Sequence, residues 1–268
     1  MAEEAVRSPL RWAGSKRKLI PTLEALAPRD YNRYIEPFCG SLCLFVALKP
    51  KLALVGDINE ELVHFYKMVA WRPNVISRIA HEYPNDAETY YNLRGLNPFL
   101  LGAEERAARF FYLNRFCFNG VYRTNRLGVF NVPRGHHTGA IPSGQELLGF
   151  GRLIRRAQIV HSDFESLVEE AGSDDFVYLD PPYAGRDVRD RGEYGLGAFK
   201  LPDLDRLEAA IVAASQRGAK ILLSYADLPE MHSRFRDWQI TSLDVVRNVA
   251  GFAGSRRSAS ELILRNYR

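Results

Sequence analysis

Short apolar runs that end on acidic, proline-bearing or small turn residues recur along the chain. Tyr34-Ile35 runs into Glu36-Pro37, Leu52-Ala53-Leu54-Val55 into Gly56-Asp57, Ile159-Val160 towards Ser162-Asp163, Phe176–Leu179 into Asp180, and Ile221-Leu222-Leu223 into Ser224. Runs of this length bounded by turns predict strands buried on both faces. Between several of them lie stretches of helical periodicity, such as residues 204–217, rich in helix formers and closed by Gly218. Strands alternating with helices predict a doubly wound, Rossmann-like α/β fold around a parallel sheet, with ligands gathering beyond the strands' C-terminal ends.

Two regions depart from the alternation. Residues 240–246 and 261–267 flank a Gly-, Ser- and Arg-rich stretch at 251–258 with no room for a helix, which predicts a closing antiparallel hairpin with a long basic loop. Residues 70–145 carry helical stretches and then an aromatic, Asn- and Arg-rich block at 110–135. This region reads as an inserted, mainly helical subdomain bearing a β-hairpin, with residues 1–69 and 146–268 forming the sheet domain. A length of 268 residues fits that organisation.

Composition narrows the function classes only a little. The net charge of +4, from 36 Lys+Arg against 32 Asp+Glu, permits a polyanionic partner without requiring one. Cys39, Cys43 and Cys117 form no Cys-x-x-Cys pair, so neither a disulfide framework nor a zinc module is indicated, and no metal is expected. The first residues, Met1-Ala2-Glu3-Glu4-Ala5-Val6-Arg7, lack the basic region and apolar run of a signal peptide, and no apolar stretch approaches membrane-spanning length. A cytoplasmic protein with no membrane partner is expected.

The strongest chemical signal is Asp180-Pro181-Pro182-Tyr183 at the end of an apolar strand. The prolines restrict the backbone, so Asp180 is held in a narrow range of directions. Asp180 and the Pro181 carbonyl can accept hydrogen bonds from the exocyclic amino group of a nucleobase and localise its lone pair, while Tyr183 offers a stacking face. Asp-Pro-Pro is also ordinary turn chemistry. Glu36-Pro37-Phe38-Cys39-Gly40-Ser41 reads as a strand opening into a glycine turn, with helix amides from Ser41 onward. Asp57, followed by Ile58, can accept ribose hydroxyls or cap a helix. Asp163 can bond an adenine amino group beside the Phe164 ring. Arg11-Trp12-Ala13-Gly14-Ser15-Lys16 joins basic residues to an aromatic and a glycine, which favours a binding loop. In residues 113–135, Asn119, Val121, Tyr122, Arg123, Asn125, Arg126, Pro133 and Arg134 stand around glycine turns. Such residues supply phosphate, base-edge and stacking contacts to nucleic acid.

With these motifs in this order over nearly the whole chain, the sequence resembles the Dam-type, D12 class of N6-adenine DNA methyltransferases. The resemblance implies transfer of a methyl group from S-adenosylmethionine to adenine in double-stranded DNA, with the base flipped out of the helix. By matching position it implies that Asp180, Pro181, Pro182 and Tyr183 are catalytic, with Asp180 also bordering the cofactor. Trp12, Ala13, Gly14, Lys16, Glu36, Pro37, Phe38, Gly40 and Ser41 would border the methionine end of the cofactor, with Asp57 and Ile58 at its ribose and Asp163 and Phe164 at its adenine; Arg11, Asn119, Val121, Tyr122, Arg123, Asn125, Arg126, Pro133 and Arg134 would face DNA. Asn119-Gly120-Val121-Tyr122-Arg123 together with Arg11 matches members that read GATC. It further implies a monomer, associated with the nucleoid through DNA and serving in restriction-modification or a related role. One departure is Leu42, where the family commonly carries a second glycine, and this predicts altered or weaker cofactor binding. Residues 184–199, glycine-rich and charged, read as a mobile loop beside the catalytic strand. Three alternatives keep the same residues: the amino group of cytosine as acceptor, an RNA base as acceptor, or a DNA-binding protein with impaired catalysis.

Overall fold

The computed structural model describes residues 6–136, 138–184, 199–248 and 256–268. Strands β1 (Tyr34–Glu36), β2 (Ala53–Asp57), β3 (Ala157–His161), β4 (Phe176–Leu179), β5 (Lys220–Ala226), β6 (Gln239–Asn248) and β7 (Arg256–Arg265) form one seven-stranded sheet in the order β3-β2-β1-β4-β5-β7-β6. The first five pair in parallel, whereas β7 lies antiparallel beside β5 and pairs antiparallel with β6. The ladder between β6 and β7 runs from Gln239↔Arg265 to Asn248↔Arg256. Residues 256–258, expected in the basic loop, therefore belong to a strand, and residues 249–255 lie outside the described residues.

Alternate residues of the central strands serve two cores, as the period of a strand requires. Tyr34, Val55, Phe176, Tyr178 and Leu222 face one core, with Phe65, Tyr66, Phe110 and Phe150 from the covering helices. Ile35, Leu54, Val177, Leu179, Ile221 and Leu223 face the other, with Leu207 and Ile211. Because both faces are covered, β4 reads as an unbroken apolar run, and β1 is buried throughout, its terminal Glu36 included.

Helices α1 (Ile20–Leu26), α2 (Cys43–Leu48) and α3 (Glu60–Trp71) lie in the first third of the chain. Helices α4 (Pro73–Glu82), α5 (Ala87–Gly95) and α6 (Ala103–Phe116) come next, and α7 (Gly144–Ile154), α8 (Phe164–Glu169), α9 (Leu201–Gln216) and α10 (Pro229–Arg234) follow. Helix α6 is buried on several sides: Phe110 and Phe111 pack into the sheet's core, and Tyr112, Leu113 and Phe116 into a small cluster with Tyr90, Leu93 and Val132. The region after α6 is not a regular hairpin among the described residues. It makes two isolated antiparallel bridges, Cys117↔Arg134 and Thr124↔Phe130. Positive φ at Asn119, Gly120 and Gly128 turns the chain out of extended geometry, and Pro133 has no N–H to give to a ladder.

The strand order fixes where a ligand can enter. From β1 the chain runs outward through β2 and β3, then returns to the other side of β1 with β4 and β5. The order reverses between β1 and β4, and the crevice at such a switch point opens beyond the strands' C-terminal ends. Glu36-Pro37 leaves β1 there, and Asp180-Pro181 leaves β4.

Candidate active site

At the end of β4, Asp180 Oδ1 receives Lys16 Nζ at 2.6 Å and Ser224 Oγ at 3.3 Å. Among the described residues every hydrogen bond to this carboxylate falls on Oδ1, which orients the group and leaves Oδ2 for an incoming donor. Burial pushes the Asp180 carboxyl up from its ordinary value, against the pull of Lys16. Burial works against the charged form of Lys16 too, but Asp180, Tyr183, Tyr178 and Glu261 outweigh it and hold the ammonium well above its ordinary pKa.

The proline pair is anchored on its far side. Pro181 is buried and Pro182 half-buried. Ala184 N donates to Tyr225 Oη at 2.7 Å, the Tyr183 ring meets the Tyr225 ring edge-on at 5.1 Å, and the Tyr183 hydroxyl donates to Glu261 Oε1 at 2.7 Å. Glu261, Ser224 and Tyr225 escaped sequence reasoning because none stands in a motif: Ser224 and Tyr225 follow the apolar run of β5, and Glu261 lies where the polar first half of β7 gives way to Leu262-Ile263-Leu264. Residues 185–198, most of the predicted mobile loop, lie outside the described residues.

At the end of β1, Glu36 is buried and accepts the Tyr34 hydroxyl at 2.8 Å, and burial raises its carboxyl well above the usual range. Pro37 is buried beside it, and Phe38 stacks on Phe164 at 5.2 Å and meets Phe199 edge-on. Gly40 has φ +41°, and a Cβ there would stand 3.1 Å from the Trp12 indole, so this glycine lets Trp12 lie against the turn. The amide of Gly40 donates to Asp57 Oδ2 at 3.1 Å. The Ser41 hydroxyl lies 3.2 Å from both Ser15 Oγ and Cys43 Sγ, tying the N-terminal loop to α2, which starts only at Cys43.

Leu42 carries the glycine-like geometry itself, with φ +54° and ψ +34°, while its side chain is buried in the core. The departure thus has a price in backbone strain and a compensation in burial. Left-handed geometry costs a non-glycine residue about 1–2 kcal/mol, whereas removing a buried leucine costs about 2–5 kcal/mol. Leu42→Gly is therefore expected to destabilise the fold by about 1–3 kcal/mol in urea denaturation; a raised midpoint would show the strain to be the larger of the two, and an unchanged one that they balance.

Asp57 ends β2 with Oδ1 accepting Asn59 N at 3.0 Å. The N-cap of α3 is Asn59, whose side chain accepts Leu62 N, so Asp57 is not the helix cap. Burial raises the Asp57 carboxyl to about 6 despite these amide bonds. Ile58 beside it is 62% exposed, an apolar surface at the rim of the crevice. Asp163 caps α8 through Glu165 N and pairs with Arg206, whose guanidinium lies 4.9 Å over the Phe164 ring.

The N-terminal loop joins this crevice to the aromatic, Arg-rich region. Ala13 N donates to Gly120 O, Gly14 turns with φ +79°, and Trp12 stacks on Tyr122 at 6.0 Å and 19°. A Cβ on Gly120 would approach Arg11 backbone atoms to 2.8 Å. Arg11 is fixed by Asn114 through its backbone and donates from Nη1 to Arg115 O. Asn119 is exposed, Val121 half-buried, and Tyr122 lies among Trp12, Phe110 and Phe130.

Arg123 Nε donates to Asn131 Oδ1 at 2.8 Å. Asn125 Oδ1 accepts the amides of Leu127 and Val129 and shapes a tip at which Arg126 and Leu127 are exposed. Pro133 is exposed while its carbonyl accepts Phe118 N, and Arg134 Nη2 donates to Asn85 Oδ1. Beside this loop Arg11, Arg17, Arg115 and Arg134, with Asn85 and His136, line an open cleft of about 720 Å³. Among the described residues no group of His, Cys, Asp and Glu could hold a metal ion, and no helix is long and apolar enough to cross a membrane.

A sequence model described as D12 class N6 adenine-specific DNA methyltransferase matches residues 12–249. The chain belongs to this family. It is 32% identical over 267 residues to a type II methyltransferase, M1.LlaDCHI, of Lactococcus lactis subsp. cremoris, covering 96% of this chain and 94% of that one. It is 29% identical over 263 residues to a DNA adenine methylase of Vibrio cholerae serotype O1, with 96% and 95% covered. It is 27% identical over 267 residues to a DNA adenine methylase of Escherichia coli K12, with 96% and 94% covered. The protein is an adenine-specific DNA methyltransferase, and Asp180-Pro181-Pro182-Tyr183 stands in it at the switch point of a mixed α/β sheet.

Proposed function

We propose that this methyltransferase uses S-adenosylmethionine to methylate N6 of an adenine flipped out of double-stranded DNA, within GATC. The observation that carries the reading is the Asp180 carboxylate at the switch point, oriented through Oδ1 with Oδ2 left for an amino donor. The chemistry of the site fits the cofactor: carboxylates suit ribose hydroxyls and a cation, and the Phe38 and Phe164 rings suit an adenine. When bound, S-adenosylmethionine supplies an electrophilic methyl carbon on a sulfonium. Asp180 and the Pro181 carbonyl accept the two N6 hydrogens, Tyr183 stacks on the base, and Pro182 keeps the loop rigid. With the base so held, the N6 lone pair would face that methyl carbon, and Asp180 and the Pro181 carbonyl would hold the N6 protons until one is released to water. Holding these groups in line converts a bimolecular encounter into an effectively unimolecular step.

Trp12, Ala13, Gly14 and Lys16 with Glu36, Pro37, Phe38, Gly40 and Ser41 shape the methionine end, Asp57 and Ile58 take the ribose, and Asp163 with Phe164 the adenine. Residues 70–145 form the target-recognition part. Arg123 reaches a guanine O6 and N7 with its terminal nitrogens, steadied through Nε by Asn131. Val121 and Pro133 meet a thymine methyl, while Asn119, Asn125 and Arg126 follow the groove from the exposed tip. Tyr122 holds the loop against Trp12. The cleft of Arg11, Arg17, Arg115 and Arg134 takes backbone phosphates. The protein acts as a monomer at the nucleoid.

The ribose assignment has a pH signature. With its carboxyl at about 6, Asp57 is ionised above that pH and protonated below it. A ribose hydroxyl donates to the ionised form, so the dissociation constant for S-adenosylmethionine is expected to rise by up to about tenfold per pH unit below pH 6. The fold responds with the opposite sign. The folded state holds a proton that the unfolded state loses near pH 4, so this group's contribution to stability falls as pH rises from about 4 to 6. Calorimetric titration across pH 5–8 tests the assignment: Asp57→Asn should remove the acid-side weakening, and persistence of the slope in that variant would reassign the ribose contact.

A further inference from the structure

Arg206 touches both groups assigned to the cofactor's adenine, yet the mechanism above gives it no role. It lies on α9, 43 positions after Asp163 and outside every motif. Its Nη2 donates to Asp163 Oδ1 at 2.7 Å and to Glu165 Oε2 at 2.6 Å, its Nε to the same Glu165 oxygen at 3.0 Å, and its Nη1 to Asp203 Oδ1 at 3.0 Å. Three carboxylates thus fix the plane of one guanidinium. Its Cζ lies 4.9 Å over the Phe164 ring, which also stacks on Phe38 at 5.2 Å. Asp163 Oδ1 accepts Glu165 N as well, at 3.0 Å. Among the described residues every hydrogen bond to this carboxylate therefore falls on Oδ1, and Oδ2 is left for another donor. The torsion that sets an aspartate's carboxylate plane is broad, and a second donor on the same oxygen narrows it.

We propose that Arg206 is a positioning residue for the methyl donor: it holds Asp163 Oδ2 towards the 6-amino group of the cofactor's adenine and steadies the Phe164 ring beside it, so that the site prefers a 6-aminopurine to a 6-oxopurine. This rests on the placement of the adenine at Asp163 and Phe164. A purine with oxygen at position 6 presents an acceptor where Oδ2 needs a donor, and two acceptors facing each other leave a polar group unpaired. Its nearest N–H stands at N1, one ring position away. Only a carboxylate free to turn can follow the donor there, and the Arg206 bond to Oδ1 opposes that turn. The ion pair itself is partly exposed, with the Arg206 and Asp163 side chains each 40% accessible, so its contribution to stability is small.

S-adenosylhomocysteine and its 6-oxo analogue S-inosylhomocysteine carry the same charge and differ only at the purine edge, so the ratio of their affinities, measured by calorimetry on the full chain, isolates the contact. Wild-type protein should bind the first at least about tenfold more tightly. Arg206→Met should lower that ratio by about fivefold or more, with the urea midpoint and the KM for DNA nearly unchanged. Asp163→Ser keeps an acceptor for the helix cap but removes the carboxylate. In that background Arg206→Met should leave the ratio where it is, as expected of two residues that act as one unit. Asp203→Asn, which leaves the bond between Arg206 and Asp163 in place, should keep the wild-type ratio. An unchanged ratio in Arg206→Met, an equal loss in Asp203→Asn, or a full effect of Arg206→Met in the Asp163→Ser background overturns the proposal. Should Arg206→Met fail to fold, Arg206→Gln decides by the same ratio. Wild-type protein that binds the two ligands alike would instead refute the placement of the adenine, a result distinct from the others.

Discussion

Asp180→Ala is expected to lower kcat by at least about 10²–10³-fold, the range for removing one preorganised electrostatic partner of a transition state, with DNA and cofactor affinities within a few-fold of wild type. Asp180 Oδ2 meets the amino group most strongly as its lone pair becomes available, so the loss falls on turnover rather than on binding. The ground state retains its contacts, because Lys16 keeps Glu261 as a partner at 2.9 Å. Single-turnover methylation of a duplex checks this, and a rate within tenfold of wild type would remove Asp180 from the catalytic role.

Arg123→Ala is expected to lose about 1–3 kcal/mol on GATC and to relax discrimination at one base pair, the effect of removing a bidentate guanine contact. The structure favours a specific contact over a diffuse one, since the bond from Nε to Asn131 Oδ1 fixes the plane of the guanidinium. Arg17 and Arg134 line the basic cleft, and their replacement should instead weaken binding to all sequences alike and reduce its salt dependence. Rates on GATC and on its single-base variants separate the two behaviours. An equal loss on every duplex would make Arg123 a phosphate contact and withdraw GATC as the target.

The sheet was legible because each central strand is buried on both faces and therefore reads as an apolar run: Phe176–Leu179 is wholly buried, and its end at Asp180 marks the crevice. Less legible was the aromatic, Arg-rich region, because Asn125, Asn131 and Asn85 satisfy their neighbours through side chains rather than through a ladder with periodicity. Glu261 and Ser224 were hidden for a different reason. Ser224 is a lone polar residue in the apolar run of β5, Glu261 borders the polar half of β7, and only the antiparallel placement of β7 beside β5 brings Glu261 to Lys16, 245 positions earlier in the numbering. Leu42 shows a third limit. The sequence reveals that a glycine is missing, but not that leucine adopts the left-handed geometry while its side chain fills the core.

The proposed activity is defined by which atom receives the methyl group and from which donor. Incubating the purified protein with S-adenosylmethionine carrying a labelled methyl and with a duplex containing GATC, then digesting the DNA to nucleosides for mass spectrometry, reads both directly. The expected result is labelled N6-methyldeoxyadenosine, formed at least about 100-fold more slowly with Asp180→Ala and absent from a duplex lacking the target. Labelled N4-methyldeoxycytidine, or label in DNA that survives unchanged in Asp180→Ala, would contradict it.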